Sequence, residues 1–243
     1  MASKVEKQKM REHLRNFPEH VRKNVEVLEP TYPFALHISA NPKIDVFYPM
    51  VSKRGLSDED RSIPRVSTAS TLWGCIVGYS SLLSDFRHEH SDDWLGGYVI
   101  YGLPHKLKLR PNSTLLPDVT QSDEEWIVGF DNAHRNIVPQ KLGKLFAHRV
   151  AITSTGSKSR LYDITLYLEL NRNAPTPFPA LPEHGLAPGY WKLEVLGVNS
   201  SVYWDPAKIT VHQIDKDEYQ SKKKLSAGLL SFEGLPPSTL WIS

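Results

Sequence analysis

The strongest regularity in the chain is a stripe of apolar residues that recurs every three or four positions after Pro64. Its members are Leu72, Cys75, Ile76, Tyr79, Leu82, Leu83 and Phe86. This spacing is that of one face of an α-helix. We therefore predict an amphipathic helix from Thr71 to Phe86, with Ser70 or Thr71 as its N-cap. Gly74 and Gly78 lie one turn apart, so another backbone is expected to pass close to the helix there.

A second regularity is the alternation of apolar and polar residues from Leu161 to Leu170. A period of two predicts a strand, and the polar face predicts an antiparallel sheet that is wet on one side. Short runs of β-branched and aromatic residues between turn signals predict further strands. They lie at residues 34–39, 44–47, 65–68, 97–103, 126–130, 191–196, 201–204 and 209–214.

The two ends of the chain differ in character. Residues 3–28 are predicted to be helical with a break before Pro18, and residues 171–190, which hold five prolines, are predicted to be an irregular connection. The fold class is therefore predicted as α+β, with a split, mainly antiparallel β core and one packed amphipathic helix. The predicted organisation is a charged helical arm (1–30), an α+β core (31–140) and a β-rich C-terminal part (141–243).

Composition places the chain among ordinary globular proteins. Of its 243 residues, 40% are hydrophobic and 23% charged, which is enough apolar material for a core. No apolar run reaches the roughly 18 residues of a membrane span, so no membrane partner is expected. The charged N-terminus lacks the apolar stretch of a signal peptide. Because Cys75 is the single cysteine, no internal disulfide can form, and a cytoplasmic location is expected.

Basic residues are concentrated although the net charge is only +2. They crowd the first 23 residues and recur at Lys222, Lys223 and Lys224. Such clusters can bind the phosphate backbone of a nucleic acid. Glutamates are interleaved with the N-terminal basic residues, however, and mixed charge at helical spacing favours a solvated helix.

Few motifs for catalysis are present. The chain has no G-x-S-x-G turn and no glycine-rich phosphate-binding loop. Residues 88–93 gather two histidines and three acidic residues, all competent metal ligands, but without a partner motif a solvated loop is the preferred interpretation and no metal site is predicted. Cys75 lies on the apolar stripe, which favours a core position over a reactive thiol.

The order of the predicted elements carries one resemblance. A strand ends in His37-Ile38-Ser39, and a strand from Arg65 to Thr68 runs directly into the helix that begins at Thr71. A strand from Tyr98 to Leu103 and the acidic run Asp123-Glu124-Glu125 follow. This order resembles the ADP-ribosyltransferase superfamily, in particular its small rifampin-modifying branch and phage relatives. The resemblance covers residues 34–130.

The resemblance implies binding of NAD, with specific roles for individual residues. His37 and Ser39 would orient the nicotinamide ribose, and Ser67 and Thr68 would line the nicotinamide pocket. Tyr79, an aromatic residue on the following helix, completes the predicted cofactor-binding set. The carboxylate that stabilises the ribose cation would be Glu124 or Glu125, with Asp118 as a further candidate. Ser67 stands where the family has a stacking tyrosine, which implies weak or lost transferase activity.

A second hypothesis belongs to another functional class. The chain could be a phage-type interaction protein, either a virion component or an inhibitor of a host factor. Its six tryptophans and ten tyrosines supply the side chains that anchor protein interfaces. Under either hypothesis the expected partner is a host or phage macromolecule, most simply a protein, while the basic N-terminal residues leave nucleic acid as an alternative.

Overall fold

The computed structural model describes residues 2–29, 31–51, 60–78, 96–117, 119–154, 160–198 and 209–230. The fold is α+β and rich in β-structure, with mostly antiparallel strand pairing, as predicted. The chain forms two compact units. Unit 1 comprises Met1–Gly78, Ile100–Lys141 and Pro179–His184, and unit 2 comprises Tyr79–Val99, Leu142–Phe178 and Gly185–Ser243. None of the described helices is long and apolar enough to cross a membrane.

The N-terminal residues of unit 1 form two helices, α1 (Lys4–Leu14) and α2 (Glu19–Arg22). The break before Pro18 is therefore confirmed. Helix α1 begins with a capping box, because Ser3 Oγ accepts a hydrogen bond from Glu6 N at 3.1 Å and the Glu6 carboxylate accepts one from Ser3 N at 2.7 Å. Met10 and Val21 are fully buried in a core that includes Trp126.

Several basic residues of this region are paired within the chain. Lys7 forms an ion pair with Glu29, and Lys23 forms one with Glu19. The glutamates interleaved with the basic residues thus compensate part of their charge. This pairing favours the interpretation of a solvated, mixed-charge surface.

The predicted helix does not extend to residue 28. Residues Val25–Leu28 form strand β1, which pairs antiparallel with β5 (Lys108–Pro111), a strand the sequence analysis missed. The alternation Val-Glu-Val-Leu suits a strand, and Val27 lies opposite Leu109 in the register. Tertiary pairing therefore overrides the local helical pattern.

The strands of unit 1 follow the order β1-β5-β6-β3-β2-β4. Their remaining bounds are β2 (Phe34–Ser39), β3 (Val66–Ala69), β4 (Gly96–Pro104, from Ile100 in this unit) and β6 (Glu124–Ile127). Strand β6 begins two residues earlier than predicted, so Glu124 and Glu125 lie inside it. In place of the strand predicted at 44–47, the structure has an isolated β-bridge between Phe47 and Ile137.

The helix that follows β3 is α3, described over Leu72–Gly78. Thr71 is its N-cap, since its Oγ1 accepts a hydrogen bond from Gly74 N at 3.0 Å. The stripe residues Leu72, Cys75 and Ile76 are buried as predicted. The helix is not amphipathic over the described turns, however, because Trp73 and Val77 are buried as well. Neighbours enclose α3, which contacts β2, β3 and the short helix α4 (Val119–Ser122). Tyr79, Leu82, Leu83 and Phe86 lie outside the described residues.

Gly74 marks the predicted close approach of another backbone. A Cβ built there would meet the Ser122 carbonyl oxygen closer than real Cβ atoms approach, and the Ala69 Cβ at 2.9 Å. We expect Gly74→Ala to lower the free energy of unfolding by about 1–3 kcal/mol through overpacking. The matched control is Gly78→Ala, whose Cβ would meet its nearest neighbour at an ordinary 3.4 Å. That variant should be neutral or more stable, because alanine favours helix. Equal effects in urea titrations of the two variants would contradict the close contact.

Unit 2 contains an antiparallel sheet with the order β7-β8-β11-β12. Its strands are β7 (Gln140–Ser154, from Leu142 in this unit), β8 (Arg160–Leu170), β11 (Gly189–Val198) and β12 (Ile209–Ile214). The strands predicted at 191–196 and 209–214 are confirmed, and the one predicted at 201–204 lies outside the described residues. Residues 171–190, predicted to be irregular, contain β9 (Phe178–Leu181) and β10 (His184–Leu186).

The alternation in β8 is present, but its polar face is not wet throughout. Ile164, Leu166, Leu168 and Leu170 are buried as predicted, and Thr165 and Tyr167 are buried as well. Tyr167 stacks on Phe146 with 4.9 Å between ring centroids. Tyr219 from α6 (Lys216–Leu230) joins these two rings in one cluster. Helix α6, which the sequence analysis did not predict, therefore covers part of this face.

Candidate functional site

His37 lies in β2 and is tied to the neighbouring strand. Its Nδ1 donates a hydrogen bond to the backbone oxygen of Ser67 in β3, with 2.9 Å between the two atoms. The ring meets Phe47 edge-on at a centroid distance of 4.9 Å. Burial lowers the pKa of His37 despite the backbone acceptor. The ring is therefore neutral at pH 7, and with Nδ1 donating, Nε2 carries the lone pair.

Strand β3 connects His37 to the acidic strand β6. Thr68 lies opposite Glu125 in the antiparallel register, and Ser67 lies opposite Trp126. Thr68 Oγ1 donates to the backbone oxygen of Glu125 at 2.9 Å. Because β3 separates β2 from β6, the backbones at His37 and Glu125 are about 10 Å apart, which is two strand spacings. The fold thus brings His37, Ser67, Thr68 and Glu125 onto three adjacent strands.

The carboxylate of Glu125 is enclosed by two cations. It is only 1% exposed, and it forms ion pairs with Lys108 and with Arg110, the latter at 3.1 Å between Nη2 and Oε1. Both bases come from β5, where their i, i+2 spacing puts them on the same face of the sheet as Glu125. Burial raises the pKa of Glu125, while Lys108 and Arg110 oppose that rise. Its charge is therefore balanced inside the protein.

Asp123 extends this ion cluster to the start of α3. Its Oδ1 accepts from Arg110 Nη2 at 3.2 Å, and its Oδ2 accepts a hydrogen bond from the Ser70 hydroxyl. Asp123 has a φ of 47°, a left-handed conformation that aspartate tolerates better than most residues. No role for Lys108 or Arg110 is evident from the sequence. The sequence signal for their strand, β5, is that its basic residues alternate with leucines.

The other predicted site residues have separate surroundings. Glu124 accepts a hydrogen bond from Trp126 Nε1 at 2.8 Å, on the strand face opposite to that of Glu125. Ser39 Oγ accepts from Asn41 N at 3.1 Å and so stabilises the turn after β2. Tyr79 and Asp118 lie outside the described residues, as does the His/Asp/Glu run at 88–93.

Cys75 has the environment of a core residue. Its Sγ donates to the backbone oxygen of Leu36 at 3.1 Å, and burial raises the pKa of the thiol. Because the thiolate is the nucleophilic form, this thiol is unreactive at neutral pH. The interpretation of Cys75 as core is thus confirmed.

The described geometry places one neutral imidazole at β2, beside a backbone carbonyl, and two strands away one buried carboxylate that is ion-paired with Lys108 and Arg110. Such an arrangement can bind a hydroxyl-bearing ligand through His37 Nε2. It offers no uncompensated carboxylate at Glu125 for a developing cation. Comparison with known proteins adds no family: no family model, no curated protein and no solved structure matches this chain.

Proposed function

We propose that the chain is a binding protein that keeps an ADP-ribosyltransferase-like arrangement of strands without transferring ADP-ribose. The observation that carries this proposal is the state of Glu125, which is buried and held by Lys108 and Arg110. Transfer requires a carboxylate that faces the ribose as nicotinamide leaves and stabilises the positive charge that develops. A carboxylate already neutralised by two cations has little charge left for that task.

The residues around Ser67 support the same conclusion. The resemblance puts Ser67 where a tyrosine would stack on nicotinamide, and a serine offers no ring face. Thr68 uses its hydroxyl to hold β3 against β6 through the Glu125 backbone oxygen. The hydroxyl of Thr68, which is predicted to line the nicotinamide pocket, is therefore engaged within the sheet.

Binding of NAD or a related nucleotide is the activity that His37 favours. The ring is neutral and its Nδ1 is fixed on the Ser67 oxygen, so Nε2 is oriented as an acceptor. A ribose hydroxyl is a suitable donor for such a nitrogen. The bond to Ser67 also fixes the ring, which reduces the entropy lost on binding.

This proposal predicts that NAD stabilises the protein without being consumed. NAD at about 100 times its Kd should stabilise the fold by about 2.7 kcal/mol, visible as a higher Tm. His37→Asn should abolish the shift, because the asparagine amide can still donate to the Ser67 oxygen but nothing replaces Nε2. His184→Asn is the matched control, since His184 is exposed.

A nicotinamide-release assay with cell lysate as acceptor decides between binding and catalysis. We expect no release from the unmodified protein. Release that disappears in Glu125→Gln and in His37→Asn would contradict the proposal and assign the chain to the active enzymes. If NAD does not shift the Tm, the nucleotide is not a ligand of this protein.

A second candidate function, interaction with a host or phage protein, is favoured by a separate observation. Unit 1 has a group of large hydrophobic side chains on its surface, which we call the apolar patch: Tyr48, Met50, Val51 and Val138. Contiguous exposed apolar residues are typical of binding surfaces, whereas isolated ones are ordinary. Under this alternative the partner is a protein, and the strands of unit 1 serve as its scaffold.

A further inference from the structure

The apolar patch is built from two chain segments that run side by side. Phe47 and Ile137 exchange backbone hydrogen bonds of 2.8 and 3.0 Å, and both side chains are buried. Their chain neighbours Tyr48 and Val138 point the opposite way, because side chains alternate along extended backbone. The two are diagonal neighbours across an antiparallel bridge, about 7–8 Å apart. The Phe47–Ile137 bridge therefore presents two apolar side chains together to solvent.

Exposure is concentrated at this place. Tyr48, Met50, Val51 and Val138 are 55%, 45%, 46% and 64% exposed, and they are four of the seven large hydrophobic residues that are exposed in the described part of the chain. Met50 exchanges backbone hydrogen bonds with Arg65 at 3.0 and 3.1 Å, so its segment is held in place on that side. A fixed backbone with exposed tyrosine and methionine side chains has the composition of an interface core.

A fixed cation lies at the edge of the patch. Arg135, in helix α5 (Asn132–Arg135), donates from Nε to the Gly129 oxygen at 3.1 Å. A Cβ built at Gly129 would meet Cγ of Arg135 at 2.9 Å and Cγ of Pro49 at 3.6 Å, so Arg135 and Pro49, the residue between Tyr48 and Met50, both border Gly129. With Nε occupied, the two Nη nitrogens remain to face a ligand, and they suit a carboxylate.

The two chain segments that carry the patch contain more basic than acidic residues. Residues 43–51 and 135–141 contain three basic residues, Lys43, Arg135 and Lys141, against one acidic residue, Asp45. An excess of positive charge speeds the association of an acidic partner. Complementarity therefore calls for a ligand with apolar side chains next to at least one carboxylate.

We propose that the apolar patch binds a short, extended peptide segment of a partner protein, in which apolar side chains contact Tyr48, Met50 and Val138 and an aspartate or glutamate pairs with Arg135. This inference rests on the interaction function and does not depend on NAD. Four side chains form a surface far smaller than the roughly 800 Å² that each partner buries in a stable complex of folded domains. A short segment fits this area better than a second copy of the chain.

The test selects peptides that bind the full chain from a displayed random-peptide library. Peptides that also bind the double variant Tyr48→Ser/Val138→Ser are discarded. Enriched sequences should combine aliphatic or aromatic residues with Asp or Glu. Fluorescence anisotropy of the tightest-binding labelled peptide should show binding that Arg135→Gln weakens about tenfold. The weakening should shrink at high salt, because a surface ion pair is screened.

Val5→Ser is the matched control for Val138→Ser, since the two valines are 63% and 64% exposed and Val5 lies in α1, which contributes no residue to the patch. Only Val138→Ser should reduce peptide affinity, with unchanged Tm in both variants. Enriched peptides without acidic residues, or equal affinity for Arg135→Gln, would overturn the inference. Failure to enrich any peptide would also overturn it. Concentration-dependent dimerisation that Tyr48→Ser abolishes would replace the peptide by a second copy. Nicotinamide release, measured separately, bears on the proposed function alone.

Discussion

Replacing Lys108 by methionine should lower the free energy of unfolding by about 3–5 kcal/mol at pH 7. The methionine fills a similar volume but removes a cation that contacts Glu125 inside the sheet of unit 1. Glu125 is 1% exposed, so water cannot replace the lost partner. Arg110 alone then compensates the carboxylate, from a position that is itself partly exposed. An uncompensated buried charge is among the most destabilising changes that a single substitution can make.

Two further variants test whether the lost stability arises from the buried charge of Glu125 or from the loss of a lysine as such. Lys108→Met/Glu125→Met should recover most of the stability, because removing both partners leaves no buried charge without compensation. Lys23→Met is the matched control, since its ion pair with Glu19 is exposed at both ends and should contribute less than about 1 kcal/mol. If Lys108→Met costs no more than Lys23→Met in urea titrations, the ion pair at Glu125 is not what stabilises this region.

The sequence predicted the elements whose local pattern agrees with their final environment. The strand at Ile209–Ile214 and the N-cap at Thr71 follow directly from short-range signals. Gly74 was also predictable as a close approach, although the identity of the neighbour, the Ser122 carbonyl, depends on helix α4. Patterns of this kind depend on only a few neighbouring residues, so they hold in any tertiary context.

Other features depend on strand pairing and register, which local sequence patterns do not determine. Val25–Leu28 is a strand because β5 pairs with it, and β5 itself was missed in a basic stretch. The contact between Lys108 and Glu125, which are 17 positions apart in the sequence, requires β5 and β6 to be neighbours at one particular register. The acidity of Glu125 is visible in the sequence, but its contacts with Lys108 and Arg110 are not.

Acidification should destabilise the protein between about pH 6.5 and pH 4, and His105 should account for a large part of the loss. Burial lowers the pKa of His105 from 6.5 to about 4, with further lowering by Lys108 and His134. Its Nδ1 lies 3.1 Å from Ala35 N and 2.9 Å from the Leu103 oxygen, while the buried Nε2 has no partner among the described residues. A protonated ring would therefore carry an unsatisfied donor next to two basic groups.

The sign follows from which state binds the proton. Above pH 6.5 the ring is neutral in both the folded and the unfolded chain, so it contributes no pH dependence. As the pH falls from 6.5 to 4, the unfolded chain binds a proton that the folded chain does not, and stability is lost. A shift of this size corresponds to roughly 3 kcal/mol, at about 1.36 kcal/mol per pKa unit. His37 shifts in the same direction, whereas the raised pKa of Glu125 has the opposite sign.

The variant His105→Asn isolates this contribution, because the asparagine amide can accept from Ala35 N or donate to the Leu103 oxygen while the residue no longer titrates. Urea titrations at pH 7.5, 6.5, 5.5 and 4.5 should show that the unmodified protein loses more stability on acidification than His105→Asn does. The difference should grow steadily below pH 6.5. His184→Asn, which changes an exposed histidine, should keep the pH dependence of the unmodified protein. Parallel curves for His105→Asn and the unmodified protein would show that the buried imidazole accepts its proton as readily in the folded chain as in the unfolded one.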